Sequence, residues 1–296
     1  MNKTFTASDG RIFNLDPTYR DRIVPRWRGM FAPWPPPTVS AEEVALAKQQ
    51  VAALGDISGK DVLEVGCHGG LNCFALSAAG ARSVVGMDLP AYGARQQYDV
   101  TEDMVRGRWK GLRLAAHEAF PDAPMPYFIE GDAEFAPIGV EQFDLIVSWQ
   151  TLEHLVGWRG AASRWYQLLT PGGKAVHRWE SFFSETGGHS LCTLDFPYGH
   201  CILSDKDVCR YIKEIRPQEK AVAVPFFLQS LNRLTVDDLS LWLNPSLWPD
   251  FACKSEVSVG MKRPPWTVSE IVKMYPSVTP EEVASTSIIT TMEKLA

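Results

Sequence analysis

The sequence has neither a long apolar run nor a cysteine framework. No apolar segment approaches the about 18 residues that a membrane-spanning helix requires, and the opening MNKTFTASDGRIF has no apolar stretch of signal-peptide length. The six cysteines are scattered without a CxxC pair, which in a chain of 296 residues favours reduced thiols over disulfides. These absences predict a cytoplasmic protein without a membrane partner.

An excess of basic residues is also missing. The formal net charge is −6 and the isoelectric point about 5.6, whereas a nucleic-acid surface normally carries a basic excess. The densest basic cluster is typical of a solvated helix face; it comprises Arg106, Arg108, Lys110 and Arg113. We therefore expect no nucleic-acid partner. The hydrophobic content of 45% is enough for a full globular core, and nothing in the composition predicts an oligomeric state.

Residues 1–39 have the composition of an irregular arm. The segment RWRGMFAPWPPPT places prolines among Trp27, Phe31 and Trp34, and proline neither donates to a β-ladder nor continues a helix. Ser40 and Glu43 then have the spacing of a capping box, which predicts the start of a helix. We expect the aromatic side chains of the arm to pack against the core or to cover a pocket.

Residues 40–180 alternate between predicted strands and predicted helices. The strands are expected at 62–65, 83–87, 127–130, 143–148 and 174–178, and the helices at 71–79, 93–119 and 158–169, the last closed by TPGG. This alternation predicts an α/β fold with a mainly parallel sheet covered by helices on both faces. We expect residues 181–296 to form a substrate-side elaboration that completes the sheet, with a helix beginning after Ser204.

A glycine cluster follows the first predicted strand of this core. In VLEVGCHGGLNCFALSAAGARSVVGMDL, residues 62–89, the glycines 66, 69 and 70 remove the Cβ atoms that would block a close ligand. Asp88 follows Gly66 by 22 residues, at the end of the second strand, where a carboxylate suits a ribose. Because ligands of open parallel sheets bind beyond the carboxyl ends of the strands, the element predicts a nucleoside-containing cofactor.

The spacing of these glycines discriminates between two cofactors. A dinucleotide site needs G-x-G-x-x-G, but His68 stands where the second glycine would be, so the spacing speaks against an NAD-linked oxidoreductase. The element instead resembles motif I of class I S-adenosylmethionine (SAM) methyltransferases, E/D-x-G-x-G-x-G. Glu64, Gly66 and Gly70 match that motif, and His68 replaces its central glycine.

Three later segments between residues 60 and 180 extend the resemblance. FIEGDAE has Asp132 after the third strand, while FDLIVSWQTLEHL and LLTPGGKAVHRW are similar to the fourth- and fifth-strand regions of ubiquinone/menaquinone-type methyltransferases. The resemblance implies a Rossmann-like, mainly parallel seven-stranded sheet with SAM as cofactor. It also implies a set of cofactor-binding residues: Glu64, Gly66, His68, Gly70, Asp88, Leu89, Asp132, Ala133 and Trp149.

Methyl transfer from SAM needs proximity and alignment, and a base when the nucleophile is a hydroxyl. His154 follows the fourth strand, near the expected methyl position, and is our predicted catalytic base. A histidine that only caps a helix or packs on the core remains an alternative for it. Gln150, His189 and His200 are the predicted substrate-binding residues.

The stretch GGHSLCTLDFPYGHC crowds five reactive side chains into 13 residues: His189, Cys192, Asp195, His200 and Cys201. They could line a substrate pocket, satisfy one another within a folded loop, or bind a metal. Their spacing is not that of a standard zinc site, so the sequence predicts no metal centre.

The sequence as a whole predicts a SAM-dependent methyltransferase that acts on a small molecule. The acceptor atom is expected to be a hydroxyl or carboxyl oxygen, attacked by direct SN2 displacement. Two alternatives stay open: an N-methyltransferase, whose neutral amine needs no strong base, and a SAM-binding partner protein without transfer activity.

Overall fold

The computed structural model describes residues 4–95, 99–135, 138–140, 142–260 and 265–296. Within them the strands are β1 (Thr4–Thr6), β2 (Ile12–Asn14), β3 (Asp61–Val65), β4 (Ser83–Asp88), β5 (Tyr127–Glu130), β6 (Phe143–Trp149), β7 (Leu169–Trp179), β8 (Phe251–Val259) and β9 (Ser285–Lys294).

The α-helices of the described residues are α1 (Tyr19–Ile23), α2 (Ala41–Ala52), α3 (Leu71–Ala78), α4 (Pro90–Arg95), α5 (Glu102–Ala119), α6 (Trp158–Leu168), α7 (His189–Cys192), α8 (Gly199–Ile202), α9 (Asp205–Ile215), α10 (Lys220–Gln229), α11 (Val236–Trp242), α12 (Pro265–Met274) and α13 (Pro280–Val283). Two 3₁₀ turns, Trp27–Phe31 and Leu152–His154, complete the description.

Seven strands form one sheet in the order β5-β4-β3-β6-β7-β9-β8. The first five are parallel, and β9 pairs antiparallel with both β7 and β8. The expected mainly parallel seven-stranded sheet is therefore confirmed. The strand order reverses at β3, which has β4 on one side and β6 on the other, and this reversal creates the crevice in which ligands of such sheets bind.

The central strands are buried because helices cover both faces of the sheet. One apolar cluster includes Leu63 and Trp165 and another includes Val62 and Phe74, so consecutive residues of β3 point into different layers, as the two-residue period of a strand requires. A third cluster, with Phe5, Tyr211 and Phe226, joins the N-terminal hairpin to the helices that follow β7.

Helix starts follow the predicted caps at Ser40 and Ser204. The Ser40 side chain accepts the N–H of Glu43, whose carboxylate accepts the N–H of Ser40, and the Ser204 side chain accepts the N–H of Asp207. The single helix predicted over 93–119 is wrong, because two helices, α4 and α5, cover this region. The Thr101 side chain accepts the N–H of Met104 and begins α5; part of the predicted span, residues 96–98, lies outside the described residues.

The segment TPGG is not the simple helix stop that the sequence indicated. Helix α6 ends at Leu168, and the pairing between β6 and β7 passes from Phe143–Leu169 directly to Leu145–Lys174. Residues 170–173 are thus a bulge within the strand, with Gly172 at φ +79°. The extra residues are accommodated because glycine tolerates this backbone conformation.

None of the helices in the described part of the chain combines the length and the apolar character needed to cross a membrane.

Candidate active site

A cavity of about 640 Å³ opens beside the reversal of strand order. Its volume is in the range of about 300–1,000 Å³ usual for small-molecule sites. Ten of the predicted site residues line it: Gly66, His68, Asp88, Leu89, Asp132, Ala133, Trp149, Gln150, His154 and His189. We call it the cofactor cavity. Three predicted site residues, Glu64, Gly70 and His200, are not among its lining residues.

The turn after β3 brings backbone to the cavity wall. Gly66 has φ +76°, and a Cβ built on it would lie 2.1 Å from Oγ1 of Thr151. Gly70 has φ +80°, and its Cβ would lie 2.6 Å from the ring of Phe128. A side chain at either position would displace the turn, so the glycines are required by close packing as well as by backbone conformation.

Asp88, at the end of β4, fixes the glycine turn. Its carboxylate accepts the N–H of His68 at 2.6 Å and the N–H of Leu89, also at 2.6 Å. Burial raises the pKa of Asp88 to about 6. The two hydrogen bonds and the nearby Arg113 favour the ionised form and lower the pKa, but their effect is smaller than that of burial. The carboxylate held in this way lines the cavity.

Glu64 lies in β3, just before the glycine turn, and contacts the helix that follows the turn. It is 3% exposed, its carboxylate accepts a hydrogen bond from Sγ of Cys73 at 2.8 Å, and burial raises its pKa to about 8. Across the cavity, Asp132 accepts the N–H of Glu134 at 2.8 Å. Asp88 and Asp132 come from the ends of neighbouring strands, β4 and β5, as the sequence indicated.

Part of the N-terminal arm forms one wall of the cavity. Gly29 and Trp34 line it, the guanidinium of Arg108 lies 5.1 Å from the centre of the Trp34 ring, and the same group donates to the carbonyl of Pro35 at 2.7 Å. Arg108 is therefore not part of a merely solvated helix face, as the sequence had suggested, because it lines the cavity and binds the arm at Trp34 and Pro35.

The 3₁₀ turn Leu152–His154 carries the predicted base. The carbonyl of Ser230 lies 2.7 Å from Nδ1 of His154; since a carbonyl only accepts, the proton of a neutral His154 is on Nδ1 and the lone pair is on Nε2. Asn232 fastens the same turn, donating from Nδ2 to the carbonyls of Leu152 and Leu155 at 2.6 and 2.9 Å. Burial lowers the pKa of His154 to about 4, so its ring is neutral at pH 7.

His189 joins His154 from the segment that follows β7. The two ring centres lie 4.7 Å apart, and burial lowers the pKa of His189 well below its usual value. Glu153 completes the group. One donor atom of each of Glu153, His154 and His189 lies within 4.8 Å of the others. Glu153 is not among the residues predicted from the sequence, and its position beside His154 in TLEH is the one local signal for it.

Three residues of the cavity wall have a left-handed backbone although they are not glycine. His68, Gln150 and His189 have φ values of +46°, +54° and +51°. This conformation is costly for ordinary residues and concentrates at functional sites. At His189 the turn is held by Gly187, where a Cβ would lie 2.2 Å from the carbonyl oxygen of Phe182.

His200, Cys192 and Cys201 make hydrogen bonds to backbone carbonyls within the fold. His200 is 1% exposed and its Nε2 lies 2.9 Å from the carbonyl of Phe182. The thiols of Cys192 and Cys201 donate to the carbonyls of Ala223 and Tyr198. His189 is thus the member of this stretch that reaches the cofactor cavity.

The fold is an open, mainly parallel sheet with a cavity at the point where the strand order reverses, lined by carboxylates from two neighbouring strand ends. Sequence comparison identifies the class further: the profile of a family described as a methyltransferase domain matches residues 41–213, which is more than half of the chain. The protein therefore belongs to the methyltransferase-domain family, and SAM is its cofactor, as predicted.

Among curated proteins, the chain is 28% identical over 169 residues to the ubiquinone biosynthesis O-methyltransferase of Aromatoleum aromaticum, covering 56% of this chain and 62% of that protein. It is 34% identical over 107 residues to the tRNA U34 carboxymethyltransferase of Alcanivorax borkumensis, covering 36% and 28%. It thus spans less than two thirds of either relative. A solved SAM-dependent methyltransferase from Mesorhizobium loti is 18% identical, with coverage of 86% and 98% and a TM-score of 0.48.

The residues of the cavity fit SAM by their chemistry. Asp88 and Asp132 offer carboxylate acceptors at neighbouring strand ends, suited to hydroxyl and amino donors of a nucleoside. The glycine turn leaves no room for a Cβ where the cofactor must approach. Beyond this end, the cavity continues to Gln150, His154 and His189.

Proposed function

We propose that this protein methylates a small-molecule acceptor, at a hydroxyl or carboxyl oxygen, with SAM as methyl donor. The observation that carries the proposal is that one cavity holds both the cofactor-type carboxylate Asp88 and the imidazole of His154. The curated relative from Aromatoleum aromaticum, named as an O-methyltransferase, supports oxygen as the acceptor atom.

The cavity favours a small acceptor over a macromolecule. Trp34 and Arg108, which contact each other, line this cavity together with His189 and Gln229, and its volume is about 640 Å³. A strand of RNA would also need a basic surface, whereas the chain has a net charge of −6. We therefore infer that the tRNA named for the relative from Alcanivorax borkumensis is not the acceptor here.

SAM supplies a methyl group on a sulfonium, which is a good leaving group, so the protein has to align the acceptor and manage one proton. In the proposal, Asp88 and Asp132 hold the nucleoside end while the glycine turn fixes the reactive end. Gln150 and His189 orient the acceptor oxygen. Nε2 of His154 accepts the hydroxyl proton as the oxygen attacks, because Nδ1 is committed to the Ser230 carbonyl.

The polar groups at the acceptor end favour oxygen over nitrogen. An amine that arrives neutral needs no positioned base, yet His154 is fixed by a hydrogen bond from Nδ1 and by a turn that Asn232 holds.

We also propose a division of labour along the chain. Residues 1–39 cover the cavity, residues 40–180 bind the cofactor, and residues 181–296 complete the acceptor side, to which they contribute His189.

The test is S-adenosylhomocysteine release from SAM in the presence of a panel of phenols, carboxylic acids and amines. We expect release with at least one phenol or carboxylic acid, and a loss of at least about 100-fold in kcat for His154→Ala. Turnover with amines only would show that the acceptor atom is nitrogen and that the proposed O-methylation is wrong. SAM binding without turnover by any acceptor, while His154→Ala binds SAM equally, would favour the non-catalytic partner protein.

A further inference from the structure

Beside His154, at the acceptor end of the cavity, lies a buried acid without a hydrogen-bond partner in the described part of the chain. Glu153 is 2% exposed, and neither of its carboxylate oxygens has a hydrogen-bond partner of acceptable geometry among the described residues. Burial raises the pKa of Glu153 to about 8, although its own N–H and that of Glu180 act to lower it. No described lysine or arginine forms an ion pair with it. Burying a carboxyl group without a hydrogen-bond partner is costly, whether it is neutral or ionised, so this side chain requires an explanation.

Two imidazoles adjoin this carboxylate. One donor atom of Glu153, one ring nitrogen of His154 and one of His189 lie within 4.8 Å of each other. Nε2 of His189 is itself buried and has no hydrogen-bond partner among the described residues. The three side chains come from separate positions in the fold, because Glu153 and His154 follow β6 whereas His189 begins α7.

The surroundings of His154 are those of a metal-ligating histidine. Such a histidine usually donates its second ring N–H to a backbone carbonyl or a carboxylate, which fixes the tautomer and directs the other nitrogen to the ion. Nδ1 of His154 makes this hydrogen bond with the Ser230 carbonyl at 2.7 Å. The N–H of Asn232 also donates to the carbonyl of Glu153 at 2.9 Å, so the same segment fixes two of the three side chains.

We propose that Glu153, His154 and His189 bind one divalent transition-metal cation of the Zn²⁺ type at the acceptor end of the cofactor cavity. Two imidazoles and one carboxylate are a donor set of catalytic zinc and of other first-row transition metals, whereas Mg²⁺ and Ca²⁺ prefer oxygen ligands. Three protein ligands leave a coordination position that faces the cavity, through His154 and His189.

The role of this cation in the reaction rests on the proposed O-methylation, whereas its binding does not. The acceptor hydroxyl would bind the cation and release its proton to water. The oxygen–carbon bond then forms as the sulfur–carbon bond breaks, and the sulfur leaves with the electron pair. The Nε2 lone pair of His154 can either bind the cation or accept the hydroxyl proton, but not both. When the cation is bound, it therefore replaces His154 as the group that makes the hydroxyl nucleophilic.

Co²⁺ titration of the full chain, freed of metal by a chelator that is then removed, tests the site. We expect one equivalent to bind with a visible d–d spectrum and without a thiolate charge-transfer band, and Zn²⁺ to displace it. Glu153→Gln and His189→Asn should each weaken binding at least about tenfold. His117→Asn, a histidine outside the cavity lining, should bind as the wild type does. Cation-induced stabilisation of the wild type but not of Glu153→Gln, both showing cooperative melts, provides a second readout.

Four results would overturn the site: no stoichiometric binding, a thiolate spectrum, unchanged affinity in Glu153→Gln and His189→Asn, or equal binding of Mg²⁺. Any of these leaves O-methylation with His154 as base intact. If the cation binds as expected but the chelated enzyme methylates its acceptor equally well, the proposed role of the cation is wrong. If the cation binds and no acceptor is methylated, the proposed function fails while the site stands.

Discussion

A Cβ on Gly66 would lie 2.1 Å from Oγ1 of Thr151, because the turn after β3 and the turn after β6 meet at the cofactor cavity. A larger side chain at position 66 would therefore push on Thr151, the residue that precedes the 3₁₀ turn of His154. Substitution at this contact offers a direct test of the cofactor end.

Gly66→Ala should weaken SAM binding by at least about tenfold, because the methyl group must displace either Thr151 or the loop that receives the cofactor. Gly59→Ala is the matched control: Gly59 has a similar φ of +73°, but nothing lies within 4 Å of its Cβ position. Both variants carry the left-handed strain of roughly 1–2 kcal/mol. Calorimetric titration of both variants with SAM separates the effect of the contact with Thr151 from that of backbone strain. Equal SAM affinities of Gly66→Ala and Gly59→Ala would contradict the packing argument.

The affinity for SAM should fall as the pH falls through about 6. Burial raises the pKa of Asp88 to about 6, and ribose hydroxyls are better donors to the ionised form. Binding therefore favours the carboxylate, so affinity is highest above the pKa and declines below it. Titrations at pH 8, 6 and 5 should show this decline in the wild type.

Asp88→Asn should bind SAM more weakly by about 1–3 kcal/mol at pH 8, because it loses charge-assisted hydrogen bonds, and the decline between pH 8 and 5 should disappear. An undiminished pH dependence in this variant would assign the titration to another group.

Trp34→Ala should lower kcat/KM for the acceptor about tenfold while the melting temperature stays close to that of the wild type. The ring makes its described contacts at the cavity wall and with Arg108, whose cation–π interaction is worth roughly 0.5–1 kcal/mol at an exposed site. Trp266→Ala is the control, since Trp266 is 61% exposed and outside the cavity lining. If both variants turn over like the wild type, the arm does not cover the acceptor.

Deletion of the whole arm is a poor test of the same idea. Arg20 is 2% exposed and donates to Glu219 at 3.0 Å and to the Ser190 carbonyl at 2.7 Å. Removing one partner of a buried ion pair costs about 3–5 kcal/mol when the other charge is left unpaired, but Glu219 keeps Arg216 at 3.5 Å. We therefore expect Arg20→Leu to lower the free energy of unfolding by about 2–3 kcal/mol in chemical denaturation.

The exposed pair of Arg22 and Asp16 provides the comparison for this loss. Their side chains are 55% and 47% exposed, and such pairs contribute about 0–1 kcal/mol. Arg22→Gln should therefore unfold at nearly the wild-type denaturant concentration. Similar losses for Arg20→Leu and Arg22→Gln would show that burial does not determine the contribution of Arg20.

The cofactor end was predictable from local sequence because its chemistry follows the strand ends. Gly66, Asp88 and Asp132 each follow or end a parallel strand, and the carboxyl ends of adjacent parallel strands meet at one edge of a sheet. A strand pattern and a glycine cluster therefore suffice to bring these residues together.

The acceptor end was only partly predictable because it depends on contacts between distant segments. His154 and His189 were both identified, but their ring contact and the hydrogen bond from His154 to Ser230 join residues up to 76 positions apart. His200 has the same residue type and lies in the same stretch as His189, yet it points to the carbonyl of Phe182 inside the core.

The sequence by itself determined the parallel sheet, the glycine turn and the carboxylates at the strand ends, because strand period, glycine conformation and strand direction are local properties of the chain. The tertiary structure alone decided that Glu153 is buried without a hydrogen-bond partner beside His154 and His189, and that Trp34 and Arg108 meet at the cavity wall. Burial and side-chain proximity arise when distant segments pack together, and no local pattern specifies them.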